Sequence, residues 1–372
     1  MNIITDWFRR NFAEKQTIIL AVVLLAGLAV VVYFGNMLMP VLASVVIAYL
    51  LEGLVGAFER RGVPRLLMVL LVMVLFTAFL AFLMLVLVPM LWVQFTELLR
   101  QLPRYVAEGQ QSLLDLHADY AFLSEAQIRE FINGIRNEIT GVGQQVLSIS
   151  FSSILIGITL LVYLVLVPVL VFFFLKDKAT IVRWFTSLLP PDRRLLDHVW
   201  HEVDHQIGNY IRGKFWEILI VGGVSWAVFA FLGLEYAMLM GAAVGISVLV
   251  PYIGAAVATV PVALVGYIQW GWGADFAWLI VTYLVIQALD GNVLVPLLFS
   301  EVVDLHPVAI IVAVLFFGGI WGFWGVFFAI PLATLVNAVM RAWPTAQRVH
   351  AEELEADAEG SSGSGTESAV EE

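Results

Sequence analysis

Residues 66–91 contain no charged side chain, and only Thr77 and Pro89 interrupt a succession of Leu, Val, Met, Phe and Ala. Wound as a helix at about 1.5 Å per residue, such a run is long enough to cross a hydrocarbon core about 30 Å thick. A helix is the required form because it satisfies its own backbone hydrogen bonds in lipid, and the alternating pattern of a β-barrel is absent. Comparable apolar runs fall at about 17–34, 38–51, 149–175, 216–233, 236–269, 276–298 and 307–340. The expected fold is therefore an all-α polytopic membrane protein of about eight transmembrane helices. Pro251, Gly254 and Pro261 interrupt one run, and Gly318, Gly319, Gly322 and Gly325 another. Each of these is expected to form either two short helices or a re-entrant hairpin.

Composition agrees, since 61% of the 372 residues are hydrophobic and 13% charged, against roughly 45–50% apolar usage in soluble domains. The net charge of −11 owes eight acids to the tail 351–372, which carries no base. That Gly/Ser-containing end is expected to be a solvated, disordered cytoplasmic tail over 342–372. The absence of cysteine excludes disulfides and thiolate metal sites. No basic patch supports nucleic-acid binding, and no cofactor motif (Walker loop, nucleophile elbow, dinucleotide fingerprint) is present. Arg9, Arg10 and Lys15 precede the first apolar run, which is too long for a signal core and is followed at once by another, so it reads as a retained membrane helix.

Lys and Arg are enriched in cytoplasmic loops near membrane ends. They place the amino terminus, the turn holding Arg60, Arg61 and Arg65, and the segment Lys176 to Lys214 inside. Arg341 and Arg348 put the carboxyl terminus inside as well. The expected organisation is three amino-terminal spans over 1–91, a helical extracytoplasmic insertion over 92–147, and a fourth span over 148–175. A cytoplasmic amphipathic helical segment over 176–215 and a carboxyl-terminal membrane region with broken helices over 216–341 complete it.

Between Lys214 and Arg341 there is no Lys or Arg, but there are the acids Glu217, Glu235, Asp275, Asp290, Glu301 and Asp304. Asp290 stands in YLVIQALDGNVLVPLLF, flanked by apolar residues. A carboxylate at bilayer depth costs about 2.5 kcal/mol or more unless it faces a cavity, pairs or is protonated. With no cation nearby in sequence, a bound proton or sodium ion is the expected local solution. Gly291, Asn292 and Pro296 follow, and they are expected to break the helix and free carbonyls for an ion or polar solute, as in discontinuous transporter helices. Gln287 precedes Asp290 by three residues. A second expected bend is VPYIG, with Pro251, Tyr252 and Gly254, just after a GxxxG pair at Gly241 and Gly245 that lets another helix approach. His306, ahead of Pro307, reads either as a proton-relay partner of an acid or as the start of a helix. Many of the twelve tryptophans mark the interfacial aromatic belts.

His201 to His205 reads HEVDH, the spacing by which two histidines on one helical face bind zinc. The surrounding segment has the pattern of a membrane-surface helix on which Val199, Val203, Gln206 and Tyr210 pack and the histidines are solvated.

The ordered motifs VFFFLKDK (171–178), LLPPDRR (188–194), YIRGKF (210–215), LVPYIGA (249–255), IQALDGNVLVP (286–296), DLHPVAII (304–311) and a Gly-rich end in AIPL (329–332) together resemble the autoinducer-2 exporter family of membrane proteins, also described as PerM-like permeases. The resemblance implies a bacterial cytoplasmic-membrane protein that is a homo-oligomer. It implies links, among members, to export of a quorum-sensing signal, to sodium/proton antiport or to envelope processes. This chain departs from the usual pattern in having Val250, Ala255 and, where a Glu is common, Asp290. The leading expectation is a secondary transporter, not an enzyme, that exports a small polar solute. The competing expectations are a sodium/proton antiporter, a membrane scaffold for envelope or division proteins, and an intramembrane zinc protease.

Overall fold

The computed structural model describes residues 15–119, 134, 161–189, 194–251, 253–299 and 306–337. Every regular element among them is helical. In chain order these are α1 (Lys15–Glu59), α2 (Arg65–Phe82), a π turn (Leu83–Leu87), α3 (Val88–Asp119), α4 (Leu161–Lys176), α5 (Lys178–Ser187) and α6 (Arg194–Phe231). They are followed by α7 (Ala237–Ser247), α8 (Ile253–Trp270), α9 (Ala274–Leu289), a second π turn (Asp290–Leu294), α10 (Val295–Phe299) and α11 (Pro307–Phe327). Six helices among the described residues are long and apolar enough to cross a membrane, and α4 and α7 are shorter apolar helices. The chain is a polytopic helical membrane protein.

One expectation is corrected at the start of the chain. The apolar runs 17–34 and 38–51 lie on the single helix α1, of 45 residues. The residues between the two runs, 34–37, hold one glycine and no proline, nothing strong enough to end a helix. The expected three spans over 1–91 therefore do not begin with two separate helices. Two expected boundaries are also crossed by continuous helix: α3 runs through 91–92 and α6 through 215–216. The expected insertion and the fourth span lie outside the described residues over most of 120–160, as does the acidic tail.

The chain divides into two compact units. One comprises residues 40–178 and 211–300, and the other residues 1–39, 179–210 and 301–372.

In the first unit, Ala48, Leu51 and Val55 of α1, Val69 and Val72 of α2, and Val171 and Leu175 of α4 form one buried cluster. Its charged end is closed by Arg65. The guanidinium donates to Glu59 at 2.7 Å, to Glu52 at 2.9 Å and to the Leu175 carbonyl at 2.7 Å, while Lys178 pairs with Glu52 at 3.4 Å. The basic turns at 60–65 and 176–178 thus share one end of this unit.

A second cluster joins Val221 and Phe229 of α6, Met240 and Val244 of α7, Ala258, Val262 and Val265 of α8, and Leu279, Tyr283 and Ile286 of α9. Helix α7, with 11 residues, rises only about 16 Å and is too short to span. The chain turns at 248–251 and returns as α8. At the other end of the pair, Gln269 of α8 donates to the Gly233 carbonyl and accepts from the Glu235 amide, both at 2.8 Å. Both outer ends are therefore held together, and α7–α8 is a helical hairpin with one short and one longer arm. Gly241 and Gly245 line the α7 face against α6, where a Cβ on either would press on Trp226, Ile218 or Gly222 backbone. The Gln94 side chain of α3 accepts from the Leu239 amide at 3.0 Å, satisfying an orphan donor in the first turn of α7.

In the second unit the Gly-rich end of the chain also folds back on itself. Helical dihedrals in α11 are interrupted at Gly322 (φ 58°, ψ −134°). Gly325 lies against the Phe317 carbonyl and Gly318 against Val326. Tyr210 of α6 donates to the Phe327 carbonyl at 3.0 Å, and the Trp321 indole covers Gly35 of α1.

Candidate functional site

The π turn at Asp290–Leu294 follows from its sequence. Pro296 has no amide hydrogen to donate into the turn before it, and Gly291 tolerates the wider backbone. The Val295 amide reaches back five residues to the Asp290 carbonyl. The Asn292 side chain donates to the Ala288 carbonyl at 2.8 Å. The expected break at Gly291–Pro296 is therefore corrected to a bulge, with the helix continuing to Phe299. Single-turn π bulges of this kind occur often at functional sites.

Gln287 and Asp290, three residues apart, lie on one face of this helix. Gln287 Nε2 and Asp290 Oδ1 are buried and have no hydrogen-bond partner among the described residues. A donor and an acceptor left open side by side are an invitation to a polar ligand, because each costs about 1–3 kcal/mol while unsatisfied.

The fold supplies Asp290 with the cation that is absent nearby in sequence. Lys214 of α6 is within electrostatic reach of Asp290, and so is Glu217. Lys214 and Glu217, three residues apart on α6, form an ion pair of 2.7 Å with side chains only 6% and 2% exposed. Lys214 Nζ also donates to the Val248 carbonyl at 2.9 Å and lies 5.3 Å from the Phe299 ring centroid. Val248 is the residue that caps the C-terminus of the α7 half-helix. The site thus joins four elements: the ion pair of α6, the tip of the α7–α8 hairpin, the π turn after α9, and Phe299 of α10.

Asp290 follows α9, whose 16 residues rise about 24 Å, and the helix continues to Phe299, so Asp290 stands within a helix long and apolar enough to cross a membrane. An ionisable group in such a segment is by default a functional feature.

The remaining sequence candidates fall as follows. Pro251 sits at the hairpin tip and Gly254 is buried beside it, its Cα facing the Ser247 carbonyl. Tyr252 lies outside the described residues, as does Asp304. Pro296 and Asn292 are exposed on the π-bulged helix. His306 is exposed and caps α11, its Nδ1 accepting from the Val308 amide at 3.2 Å; this is the helix-start role. On α6, Val199, Val203 and Tyr210 are buried, whereas His201 and His205 are exposed. His201 Nδ1 is 2.9 Å from the Asp197 carbonyl and His205 neighbours Asn209. No group of three potential metal ligands occurs among the described residues.

Sequence reasoning missed Lys214, Glu217, Val248 and Phe299. The i, i+3 pairing in KFWE was the available signal, but Lys214 was read as the end of a basic loop.

The AI-2E family of transporters matches this chain over residues 18–345. The chain belongs to that family. PerM of Escherichia coli (strain K12), which carries a permease name, is 43% identical over 93% of this chain and 99% of its own length. YueF of Bacillus subtilis (strain 168), which carries a transport-protein name, is 27% identical over 83% of this AI-2E transporter and 84% of its own length. TqsA of Escherichia coli (strain K12), named an AI-2 transport protein, is 24% identical over 86% and 92%.

Proposed function

We propose that this AI-2E family protein is a secondary transporter that exports a small polar solute in exchange for protons, with the exchange at Asp290. The observation that carries the reading is Asp290 Oδ1, a carboxylate oxygen buried on a span-length apolar helix without a hydrogen-bond partner among the described residues. Lys214 is the cation near it, and Lys214 is already engaged with Glu217 and Val248. One ammonium against two carboxylates leaves a net charge of −1. A single proton on Asp290 brings the cluster to neutrality and lowers the cost of moving it through the bilayer. The neighbouring open donor of Gln287 gives a polar solute a second point of attachment.

The proposed setting is a bacterial inner membrane, with the basic turns at 60–65 and 176–178 on the cytoplasmic side. The hairpin then enters from the outside and places its tip against Lys214 in the inner half of the membrane. A quorum-signal-like polar solute is the first candidate to test, because one relative is named for such transport.

The test is proton flux in proteoliposomes with an internal pH dye, on adding candidate solutes, sodium or lithium. Wild type is expected to show a solute-dependent pH change that Asp290→Asn abolishes while remaining folded and membrane-inserted. A response to sodium or lithium alone would make the protein a cation/proton antiporter instead. Full solute-driven flux in Asp290→Asn would overturn the assignment of Asp290.

A further inference from the structure

Half-helices that end inside a membrane present the negative end of their backbone dipole and a set of free carbonyls, and in transporters this end holds the coupling sodium ion or proton. The α7 half-helix, whose Val244, Ile246 and Ser247 carbonyls accept from Ser247 Oγ and the Leu249 and Val250 amides, is capped at Val248. Its carbonyl is occupied by Lys214 Nζ at 2.9 Å. The same ammonium has Glu217 at 2.7 Å and the face of Phe299 at 5.3 Å. An ammonium has three donors and no acceptor, so one carboxylate, one carbonyl and one aromatic face match its capacity. These are also the hard oxygen ligands and π face that would receive a bare alkali cation.

We propose that the Lys214 ammonium stands, as a covalently held cation, in the position a coupling sodium ion would take at the hairpin tip, and that Lys214 is the residue that sets coupling to protons rather than to sodium. The inference rests on the reading that this cluster couples transport. Charge arithmetic gives it content. With Lys214 present, Glu217 is neutralised internally and the one remaining carboxylate, Asp290, is discharged by one proton. With Lys214 replaced by a neutral residue, two carboxylates and the Val248 carbonyl face an empty pocket of ammonium size. A sodium ion then restores both the charge and the contact that tethers the tip to α6. Lys214 is thus a specificity-determining residue as well as a latch on the hairpin, and a transporter of this architecture without a lysine at this position is expected to require sodium.

The experiment reads binding separately from transport. Purified full-length wild type and Lys214→Ala are melted in detergent in sodium chloride and in choline chloride at equal ionic strength, with sodium-22 binding measured in parallel. Wild type should show no difference between the salts and no bound sodium. Lys214→Ala should melt about 2–4 °C higher in sodium, as expected for a ligand that binds only the folded state, and should bind about one sodium per chain. Adding Glu217→Gln should remove both effects. If Lys214→Ala can be purified only in sodium, the proposal is supported in the same sense. It is overturned if wild type binds sodium as well as the variant does, if the variant melts identically in the two salts, or if it is unrecoverable in both. A failure of Asp290 as the coupling group would appear in the flux assay and leave these binding results unchanged.

Discussion

A Cβ placed on Gly254 would overlap the carbonyl oxygen of Ser247. The two arms of the α7–α8 hairpin meet at this point, and the obstacle is backbone rather than a side chain that can rotate away. The tip also positions Val248 for Lys214, so a displaced tip disturbs both packing and charge. Gly254→Ala is expected to cost about 2–3 kcal/mol through overpacking, seen as a lower melting temperature in detergent and a loss of flux. Gly223→Ala on α6, where a Cβ meets nothing within 4 Å, is the control and should be neutral or slightly stabilising. Equal stability of the two variants would show that the tip is not tightly closed.

The ion pair of Lys214 and Glu217 makes a second expectation. Removing one member leaves an uncompensated buried charge and typically costs about 3–5 kcal/mol, whereas replacing both by apolar residues of similar size is often neutral or stabilising. Glu217→Leu should therefore be strongly destabilised, and Lys214→Met combined with Glu217→Leu should recover much of the loss. Thermal melts of the two single variants and the double variant read the coupling directly. Flux should be absent from all three, because the recovered protein has regained packing and not the charges. A double variant less stable than either single one would mean that the pair acts through contacts other than its charge.

Much of the membrane architecture was legible because apolar runs near 20 residues leave the chain little choice in lipid. The GxxxG of Gly241 and Gly245, the prolines near 251 and the acid at 290 all pointed to the region where the site lies. What failed were inferences from linear proximity. The runs 17–34 and 38–51 were counted separately because the apolar pattern weakens between them, yet no strong helix breaker is present there. Asp290 looked cation-free because Lys214 is 76 residues away along the chain, and only the pairing of α6 with the hairpin brings the two within reach. The break at Gly291–Pro296 became a π turn because absorbing one extra residue costs less than ending a helix in hydrocarbon, where freed carbonyls have no water.

Arg65 supports a third expectation, about the charged end of the first unit. Its planar fork contacts Glu52, Glu59 and the Leu175 carbonyl simultaneously, an arrangement the single ammonium of lysine cannot reproduce. The side chain is 29% exposed, so solvent screening reduces the value of the ion pairs. Arg65→Lys is expected to lower stability by about 1 kcal/mol and to accelerate amide exchange in the last turn of α4 and in the turn at 60–64. Unchanged exchange there would indicate that the helix ends are held by the apolar cluster alone.

Gly322 should respond to substitution for a reason opposite to that of Gly254. Space is ample, since a Cβ on Gly322 meets nothing within 4 Å. The constraint is the backbone, because φ 58° with ψ −134° corresponds to the first central position of a type II′ turn, which L-residues rarely adopt. Gly322→Ala is expected to cost about 1–3 kcal/mol as strain. Gly322→Asn should cost less than Gly322→Ala, because asparagine is among the residues found at the positive-φ position of such turns. Gly325→Ala, by contrast, should be destabilised by collision with the Phe317 carbonyl. The two causes separate in a double variant: once the turn at 322 has opened, the arms part and the alanine at 325 has room, so its additional cost should fall. Melting temperatures of the single variants and the double variant measure this directly, and strict additivity would mean that the fold of this hairpin does not depend on the turn at Gly322.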